Sequence, residues 1–346
     1  MKVAILTDTH FGARSDSKLF LDSFTKFYTN QFFPYLNKNN IETVIHLGDL
    51  FDKRKYIHFN TLRETRQHFL EPLSKFNTHI ITGNHDCFHK NTNDLNSIQE
   101  LCTHYNFNIH TGPSEIELDG AGILLIPWIN QENHEDSIRS INTTKYQICM
   151  GHFEIQGFEM FLGTVCHDGL QASLFDRFDV TLSCHFHTKS SIGNIHYLGS
   201  PYQWTWNDYG EEKGFHIFDT KTRKLTFIPN KNNMFHKITY TNDLDTNSID
   251  PEIYRNSFVK IQVSQKSNPY HFDMFRDKID NACHDLKIVD RTNVLNISEM
   301  DTFDGDNDTL SFLKKTISDQ DLTIDKNKLE SLFTELYTTA ITNEAP

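Results

Sequence analysis

Aspartate, asparagine and histidine recur in this sequence directly after short apolar segments, usually beside a glycine. Such clusters follow the segments KVAIL, TVIHL, HIIT, YQICM and VTLS, and they are Thr7-Asp8-Thr9-His10, Gly48-Asp49, Gly83-Asn84-His85-Asp86, Gly151-His152 and Cys184-His185-Phe186-His187. Carboxylate, amide oxygen and imidazole are ligands suited to Mn²⁺, Fe²⁺ or Zn²⁺, and they suit a thiolate-selective site poorly. The recurrence therefore predicts a metal site assembled from several strand ends.

The number and spacing of these residues favour two metal ions. The two-residue spacing within Asp8-x-His10 and within His185-x-His187 points both side chains of each pair to one side of an extended strand end. The candidate ligands are too many for one ion but fit two if Asp49 bridges them: Asp8, His10, Asp49, Asn84, His152, His185 and His187. Two ions about 3.5 to 4 Å apart can clamp the attacking and leaving oxygens of an in-line displacement at phosphorus.

The segments that must position these residues alternate between strand and helix. Helical apolar stripes occur in SKLFLDSFTKFYTN and FNTLRETRQHFLEPL, with Pro34 and Pro72 near their ends. This alternation predicts an α/β fold with a largely buried mixed or parallel sheet, in which ligands bind at the strand ends. From about Ile192 the strand-like segments NIHYLGS, GFHIFDT and KLTFIPN follow without helices, which predicts a second, antiparallel sheet.

Three regions are expected along the chain. Residues 1–231 carry all the strand-end clusters and form the main domain. Residues 232–300 have the pattern of a small α+β domain, with strands at FVKIQVS and VLNIS around an amphipathic helix near HFDMFRDKIDNACHDL. Residues 301–346 begin as an acidic linker and continue as two helical segments, LSFLKKTIS and KLESLFTELYTTAI. Because these helices have little nearby core to join, binding to a partner is favoured over packing on their own domain.

Composition limits the classes of protein that fit. The chain has 346 residues, of which 37% are hydrophobic, and a formal net charge of −13. No apolar run approaches the roughly 18 to 20 residues of a membrane span, so a soluble, intracellular protein is expected. The six cysteines form no CxxC pair and are interpreted mostly as small core residues. A protein that binds DNA usually has a basic balance; here a local patch, bound cations or a partner must supply the positive field, or nucleic acid is not the substrate.

In this order, the five clusters resemble the motifs of the calcineurin-like metallophosphoesterase superfamily. The resemblance implies a four-layer α-β-β-α sandwich with a small α+β capping domain and C-terminal helices. It also implies one metal ion on Asp8, His10, Asp49 and His187, and a second on Asp49, Asn84, His152 and His185. His85 becomes a residue that binds no metal, contacts the phosphate and helps the leaving oxygen depart.

Within that superfamily, GDLFDKRK and GNHD differ from the GDxxDRG and GNHE patterns of protein phosphatases. They resemble the nuclease subunits of SbcCD-type and meiotic-recombination complexes. The phage recombination nucleases are similar also through IPWINQEN, GHFEIQGF and YLGSPYQWTWNDYGEEKGFHIFDT. The resemblance implies a DNA exonuclease and endonuclease acting in recombination, repair and replication, with Mn²⁺ as the metal and a coiled-coil ABC-type ATPase and a homodimer as assembly partners. It places the protein in the cytoplasm, that of the host if a phage encodes it, and gives residues 232–300 a DNA-capping role.

Alternatives remain open at several positions. Cys184 stands where the family pattern has glycine, so it is either an additional ligand or, as favoured, an inert buried thiol. Asp52 is left outside the site, and Asp86 is either a turn residue or a residue that orients His85. The run Lys53-Arg54-Lys55 is either a solvated stretch or a contact to a DNA phosphate. For the whole protein, the alternatives are a phosphatase or phosphodiesterase with a non-DNA substrate, and a non-catalytic scaffold.

Overall fold

The computed structural model describes residues 1–161 and 164–292. The expected strand at VLNIS, the acidic linker and the two C-terminal helical segments lie outside the described residues. The described strands, numbered in chain order, are β1 Lys2–Leu6, β2 Thr43–His46, β3 Asn77–Ile81, β4 Phe107–His110, β5 Ser114–Leu118, β6 Ala121–Ile126, β7 Ile148–Gly151, β8 Glu159–Phe161, β9 Thr164–Val165, β10 Val180–Ser183, β11 Ser190–Ile192, β12 Ile195–Tyr197, β13 Gly214–Asp219, β14 Leu225–Pro229, β15 Phe235–Tyr240, β16 Phe258–Val263 and β17 Asp285–Asp290.

Two six-stranded mixed sheets form the centre of the fold. The first has the order β14-β13-β1-β2-β3-β4, and the second has the order β11-β12-β10-β7-β6-β5. In the first sheet β1 to β4 run parallel, β13 pairs antiparallel with β1, and β14 pairs antiparallel with β13. In the second sheet β12, β10, β7 and β6 run parallel, with antiparallel β11 and β5 at the edges. Parallel neighbours bring their carboxyl ends to the same edge of each sheet, as the metal-site prediction requires.

Alternating side chains of these strands separate the core into layers. Val3 and Ile5 of β1 pack with the inner face of the second sheet, including Met150. Ala4 and Leu6 point the other way, into a cluster with the first helices. The outer face of the second sheet packs in a third cluster that includes Ile141 of the helix His134–Thr143. The result is a helix, sheet, sheet, helix order, which confirms the predicted four-layer sandwich.

The late strands do not form the separate antiparallel sheet expected from the sequence. β12 joins the second sheet and pairs parallel with β10. β13 crosses to the first sheet and pairs antiparallel with β1, with Lys2 opposite Asp219 and Ile5 opposite His216. The apolar alternation of these segments identified them as strands, but alternation defines which face is buried and leaves the pairing partner open.

The first two long helices each continue through a π-helical segment towards a proline. The first comprises Lys18–Phe27, π-helical Tyr28–Phe32 and Phe33–Lys38. The second comprises Phe59–Thr65, π-helical Arg66–Leu70 and Glu71–Leu73. Pro34 and Pro72 each lie two residues after the π-helical segment, where the wider turn accommodates a residue without an N–H group. The prolines therefore lie within continuous helical runs. Two further helices that follow in the chain are Ser97–Cys102 and His134–Thr143.

A smaller three-stranded sheet, in the order β15-β16-β17, follows β14 of the first six-stranded sheet in sequence. The helix Pro269–Asp280 packs Phe272, Phe275 and Ile279 against it in a separate hydrophobic cluster. The helix is shorter than the sequence suggested, because residues 285–290 form β17. This α+β arrangement agrees with the pattern expected for residues 232–300, and the domain boundaries stay a prediction.

None of the described helices has the length and apolarity needed to cross a membrane.

Candidate metal centre

The clusters predicted from the sequence meet where strands of the two large sheets end, at the carboxyl ends of those strands. Asp8, Asp49 and Asn84 follow β1, β2 and β3 of the first sheet, and His152 and His185 follow β7 and β10 of the second. The Asn84 Oδ1 atom lies 2.9 Å from His152 Nε2 and 3.1 Å from His185 Nδ1. Side chains separated by up to 101 positions in the chain are therefore in direct contact.

Strained backbone marks the same residues. Asp8, His10, Asp49 and His185 have φ angles of 45°, 40°, 54° and 84°. Residues other than glycine rarely adopt this left-handed region, and such strain clusters at functional sites. Hydrogen bonds between neighbouring loops hold the conformation, because Asp8 N donates to Gly48 O at 3.1 Å and His10 N donates to Asp49 O at 3.0 Å.

One group of potential ligands consists of Asp8, His10 and His187, whose ligating atoms lie within 4.8 Å of one another. Both ring nitrogens of His10 are buried and make no well-aligned hydrogen bond, and each has only a carboxylate oxygen 3.3 Å away, from Asp49 at Nε2 and from Asp52 at Nδ1. A buried polar atom that lacks a well-formed hydrogen bond carries an energetic cost that a bound cation would remove. The arrangement therefore fits a metal ion better than a structural histidine.

A second group consists of Asp49, His152 and His185, with the same 4.8 Å limit on the distances between ligating atoms. Asp49 Oδ2 lies 3.5 Å from Nε2 of His152 in this group and 3.3 Å from Nε2 of His10 in the first. One carboxylate oxygen thus lies beside a histidine from each group. Asp49 is therefore the carboxylate that lies between the two groups.

The electrostatics of the site favour cations. Burial lowers the pKa of His152 and His187, and it lowers the pKa of His185 to about 3, which keeps these rings in the neutral form that binds metals. Burial, followed by the charge of Asp49, raises the pKa of Asp8 well above its usual value. Burial alone would lower the pKa of His10, but Asp49 and Asp52 raise it to about 10. The carboxylates thus attract positive charge, and the donor set fits divalent metal ions.

His85 is close to the metal ligands but is held by different contacts. Its Nδ1 atom lies 2.5 Å from the carbonyl oxygen of Asp52, and its backbone N donates to Asp49 Oδ1 at 2.8 Å. Because a carbonyl only accepts, Nδ1 carries the hydrogen and Nε2 is left for other partners. The His85 ring lies 4.6 Å from the His10 ring, edge to face. His85 therefore lies beside the first ligand group, with its ring held through Nδ1.

Asp52 belongs to this centre, although the sequence left it out. Its Oδ1 atom lies 3.3 Å from His10 Nδ1, and its carbonyl oxygen accepts the hydrogen bond from His85. Burial would raise the pKa of Asp52, but the nearby imidazole of His10 lowers it. Asp52 orients two of the predicted site residues. The available signal was its position three residues after Asp49, in the same strand-end loop.

Asp86 connects two strand-end loops and does not hold the His85 ring as one alternative proposed. Its carboxylate accepts hydrogen bonds from the backbone N–H groups of Gly83, Asp49 and Leu50 at 2.8, 2.7 and 2.9 Å. Burial, together with the charge of Asp49, raises the pKa of Asp86 to about 7. The side chain therefore positions the backbone of Asp49.

Cys184 lies behind His152. Its Sγ atom is 2.7 Å from Leu47 O and 3.0 Å from His152 Nδ1, whereas His152 Nε2 faces Asp49 and Asn84. The thiol also lies within 4.8 Å of ligand atoms of Asp8 and His152. Burial raises the pKa of the thiol well above its usual value, which opposes the thiolate that a metal would bind. These contacts favour the inert buried alternative.

Two residues that the sequence did not single out support the first ligand group. The Trp204 ring makes edge-to-face contacts with His187 and His10, at centroid distances of 4.3 and 4.7 Å. The buried Lys213 ammonium donates to His187 O at 2.8 Å and forms an ion pair with Asp208 Oδ1 at 2.8 Å. These contacts restrain His187. No spacing signal in the sequence marks them.

The Gly83→Ala substitution tests how closely two of these loops must approach. A Cβ atom at Gly83 would lie 2.2 Å from Asp49 Oδ1 and 2.4 Å from Asp49 N, so the backbone must move. Overpacking of this kind should lower the free energy of unfolding by about 1–3 kcal/mol, measured by urea denaturation. Gly112→Ala is the matched control, since a Cβ there meets nothing within 4 Å. Equal stabilities of the two variants would contradict the close approach.

Comparison with known proteins agrees with this geometry. A family model described as calcineurin-like phosphoesterase matches residues 1–189, and the chain belongs to this family, whose members use divalent metal ions. The protein is 31% identical over 294 residues to "Exonuclease subunit 1" of Enterobacteria phage T4, which covers 84% of each chain. It is 24% identical over 320 residues to a subunit of the nuclease SbcCD from Staphylococcus epidermidis, covering 82% of this chain and 80% of the relative. The same subunit from Staphylococcus saprophyticus is 25% identical over 272 residues, covering 67% and 69%. The resemblance to phosphoesterases and to nuclease subunits of the SbcCD type is confirmed.

Proposed function

We propose that the protein is a metal-dependent DNA nuclease that hydrolyses phosphodiester bonds with two divalent ions, with Mn²⁺ as the metal. The observation that carries the proposal is Asp49 Oδ2, at 3.3 Å from His10 Nε2 and 3.5 Å from His152 Nε2. The names of the relatives, an exonuclease subunit and two nuclease subunits, support DNA as the substrate.

The proposed roles follow from the contacts of each side chain. Asp8, His10, Asp49 and His187 would hold one ion, and Asp49, Asn84, His152 and His185 would hold the other. When bound, the ions supply Lewis-acid polarisation of the phosphoryl oxygens and an attacking water of lowered pKa. The Asp52 carbonyl fixes the His85 ring through Nδ1. His85 can therefore contact the phosphate and the leaving oxygen through Nε2. Asp86 holds the Asp49 backbone, so the shared carboxylate keeps its position between the two groups.

A phosphatase or phosphodiesterase with a non-DNA substrate is the alternative within the family. The basic run Lys53-Arg54-Lys55, directly after Asp52, favours a polyanionic substrate over a small phosphoester. A non-catalytic scaffold is disfavoured, because a full set of ligand types and His85 converge on one site.

The proposed assembly rests on the resemblance to SbcCD-type subunits. It comprises a coiled-coil ABC-type ATPase bound by residues 301–346, a homodimer within the complex, and residues 232–300 as a DNA-capping domain. The proposed place of action is the cytoplasm, in DNA recombination, repair and replication. In this assembly the metal ions and the ATPase supply the positive field that a chain of net charge −13 lacks.

One assay distinguishes the nuclease from the alternatives. The purified protein is incubated with Mn²⁺ and end-labelled duplex DNA, with and without the partner ATPase, and with p-nitrophenyl phosphate in parallel. We expect DNA cleavage that requires the metal and stops when EDTA is added. Rapid turnover of p-nitrophenyl phosphate with intact DNA would contradict the nuclease proposal, and inactivity towards both substrates would favour the scaffold.

A further inference from the structure

We propose that the basic aromatic loop, which runs from Asp52 to Phe59 at the start of the helix Phe59–Thr65, stacks against unpaired nucleotides next to the metal centre. Tyr56 and Phe59 supply the stacking rings, and Arg54 and Lys55 supply positive charge for the adjoining phosphates. The inference rests on the proposed nuclease function and specifies its substrate as a DNA end with unpaired bases.

The exposure of the two rings is the first observation. Phe59 is 88% exposed and Tyr56 is 63% exposed. Phenylalanines elsewhere in the fold, such as Phe51 and Phe69, are fully buried in the core. An exposed aromatic ring forgoes the stabilisation of burial, and clustered exposed apolar side chains mark binding sites. Two such rings three positions apart in the chain therefore favour a ligand with flat apolar faces.

The loop begins inside the metal centre. The Asp52 carboxylate lies 3.3 Å from His10 Nδ1, and its carbonyl accepts the hydrogen bond from His85. Four residues span at most about 14 Å when fully extended, so the backbone of Tyr56 lies within that distance of Asp52. Phe59 is seven residues from Asp52 and lies within about 25 Å of it. At about 3.4 Å per nucleotide along one strand, Tyr56 lies within roughly four nucleotides of Asp52 and Phe59 within roughly seven.

Contacts at its base hold the loop in place. Lys53 Nζ lies 3.2 Å from Asp16 Oδ2 and donates to Tyr56 Oη at 3.1 Å, with the ammonium 4.8 Å from the Tyr56 ring centroid. Thr61 Oγ1 donates to Asp16 Oδ1 at 2.8 Å and so fixes the other end of the segment. A ring whose position is already restrained loses less conformational entropy when a base stacks on it.

The charge of the loop matches a nucleic acid. Lys53 is paired with Asp16, whereas Arg54 and Lys55 form no ion pair within residues 1–161 and 164–292. Two available cations beside two exposed rings, in a chain of net charge −13, provide a local site for phosphates. Aromatic rings for bases combined with basic groups for the backbone are typical of single-strand binding surfaces. This assigns the Lys53-Arg54-Lys55 run to substrate contact rather than to a solvated stretch.

Tyr56→Leu and Phe59→Leu, alone and combined, remove the π faces and keep apolar volume. The full-length protein with Mn²⁺ is assayed on a duplex with a single-stranded tail and on the same duplex with blunt ends. We expect the ratio of kcat/KM for tailed over blunt DNA to fall about tenfold for each lost ring, the scale of one base-stacking interaction. Tyr56→Phe keeps the ring and should keep the ratio. The matched control is Ile192→Ala, since Ile192 is 53% exposed on the edge strand β11 and belongs to neither the loop nor the proposed DNA-capping domain.

Binding of a tail that contains 2-aminopurine provides a second readout. Its fluorescence should be quenched by the wild-type protein and recover in the double variant. A ratio within twofold of wild type, with unchanged quenching, overturns the inference. The inference is also overturned if Phe59→Leu abolishes a dimer while the ratio of kcat/KM for tailed over blunt DNA stays unchanged. That result would assign Phe59 to a contact between two copies of the chain. If the wild type hydrolyses bis(p-nitrophenyl) phosphate but neither DNA, the proposed function fails, and this inference fails with it.

Discussion

The His85→Ala variant should bind metal as the wild-type protein does and should cleave DNA about 10² to 10⁴ times more slowly. The range is that of proton transfer by a positioned side chain in the transition state. His85 contacts the Asp52 carbonyl through Nδ1 and Asp49 through its backbone N–H, and the substitution keeps the backbone contact. The loss should therefore fall on kcat, with the ligand groups intact. Single-turnover cleavage and metal analysis of the same preparation measure the two effects separately.

His134→Ala is the matched control for this variant. His134 is an exposed residue at the start of the helix His134–Thr143, remote in sequence from every strand-end cluster. The His134→Ala variant should cleave DNA at the wild-type rate. If His85→Ala also retained that rate, His85 would have no catalytic role. If the His85→Ala variant lost metal in proportion to activity, the role of His85 would be to position the metal ligands.

The convergence of the strand ends was predictable because it depends on few physical rules. Parallel strands place their carboxyl ends at one edge, so Asp8, Asp49 and Asn84 had to lie close together once β1, β2 and β3 were neighbours. His152 and His185 meet Asn84 because the inner faces of the two sheets pack on one another through residues such as Val3 and Met150. Residue type and position relative to a strand were sufficient information for this part.

The parts that could not be predicted depend on partners far apart in the chain. β13 pairs with β1, more than 200 positions away, and no property of either segment alone specifies that register. The contacts of Asp52 and Asp86 have a similar origin, since each joins the loop after β2 to the loop after β3. A loop aspartate in the sequence has several equally ordinary uses, and only the positions of its neighbours select one.

The Asp49→Asn variant should lose metal before it loses its fold. Asp49 Oδ2 lies beside His10 and His152, one from each ligand group, so its charge serves both proposed positions. Removing residues that merely orient metal ligands costs about 10- to 100-fold in metal affinity. Loss of the shared carboxylate should therefore cost more than about 100-fold, and DNA cleavage should fall below detection. Mn²⁺ titration by calorimetry and metal analysis after dialysis measure the loss.

Stability distinguishes this effect from simple misfolding. Asparagine keeps an oxygen that can accept the hydrogen bond of His85 N at 2.8 Å, and it keeps the backbone N–H that Asp86 accepts at 2.7 Å. The metal-free variant should therefore unfold within a few degrees of the metal-free wild type, while added Mn²⁺ should raise the melting temperature of the wild type alone. Asp22→Asn, at an exposed helix position, is the control and should bind Mn²⁺ normally. Retention of two ions by Asp49→Asn would exclude the bridging role, because a ligand shared by both positions cannot be lost without weakening both.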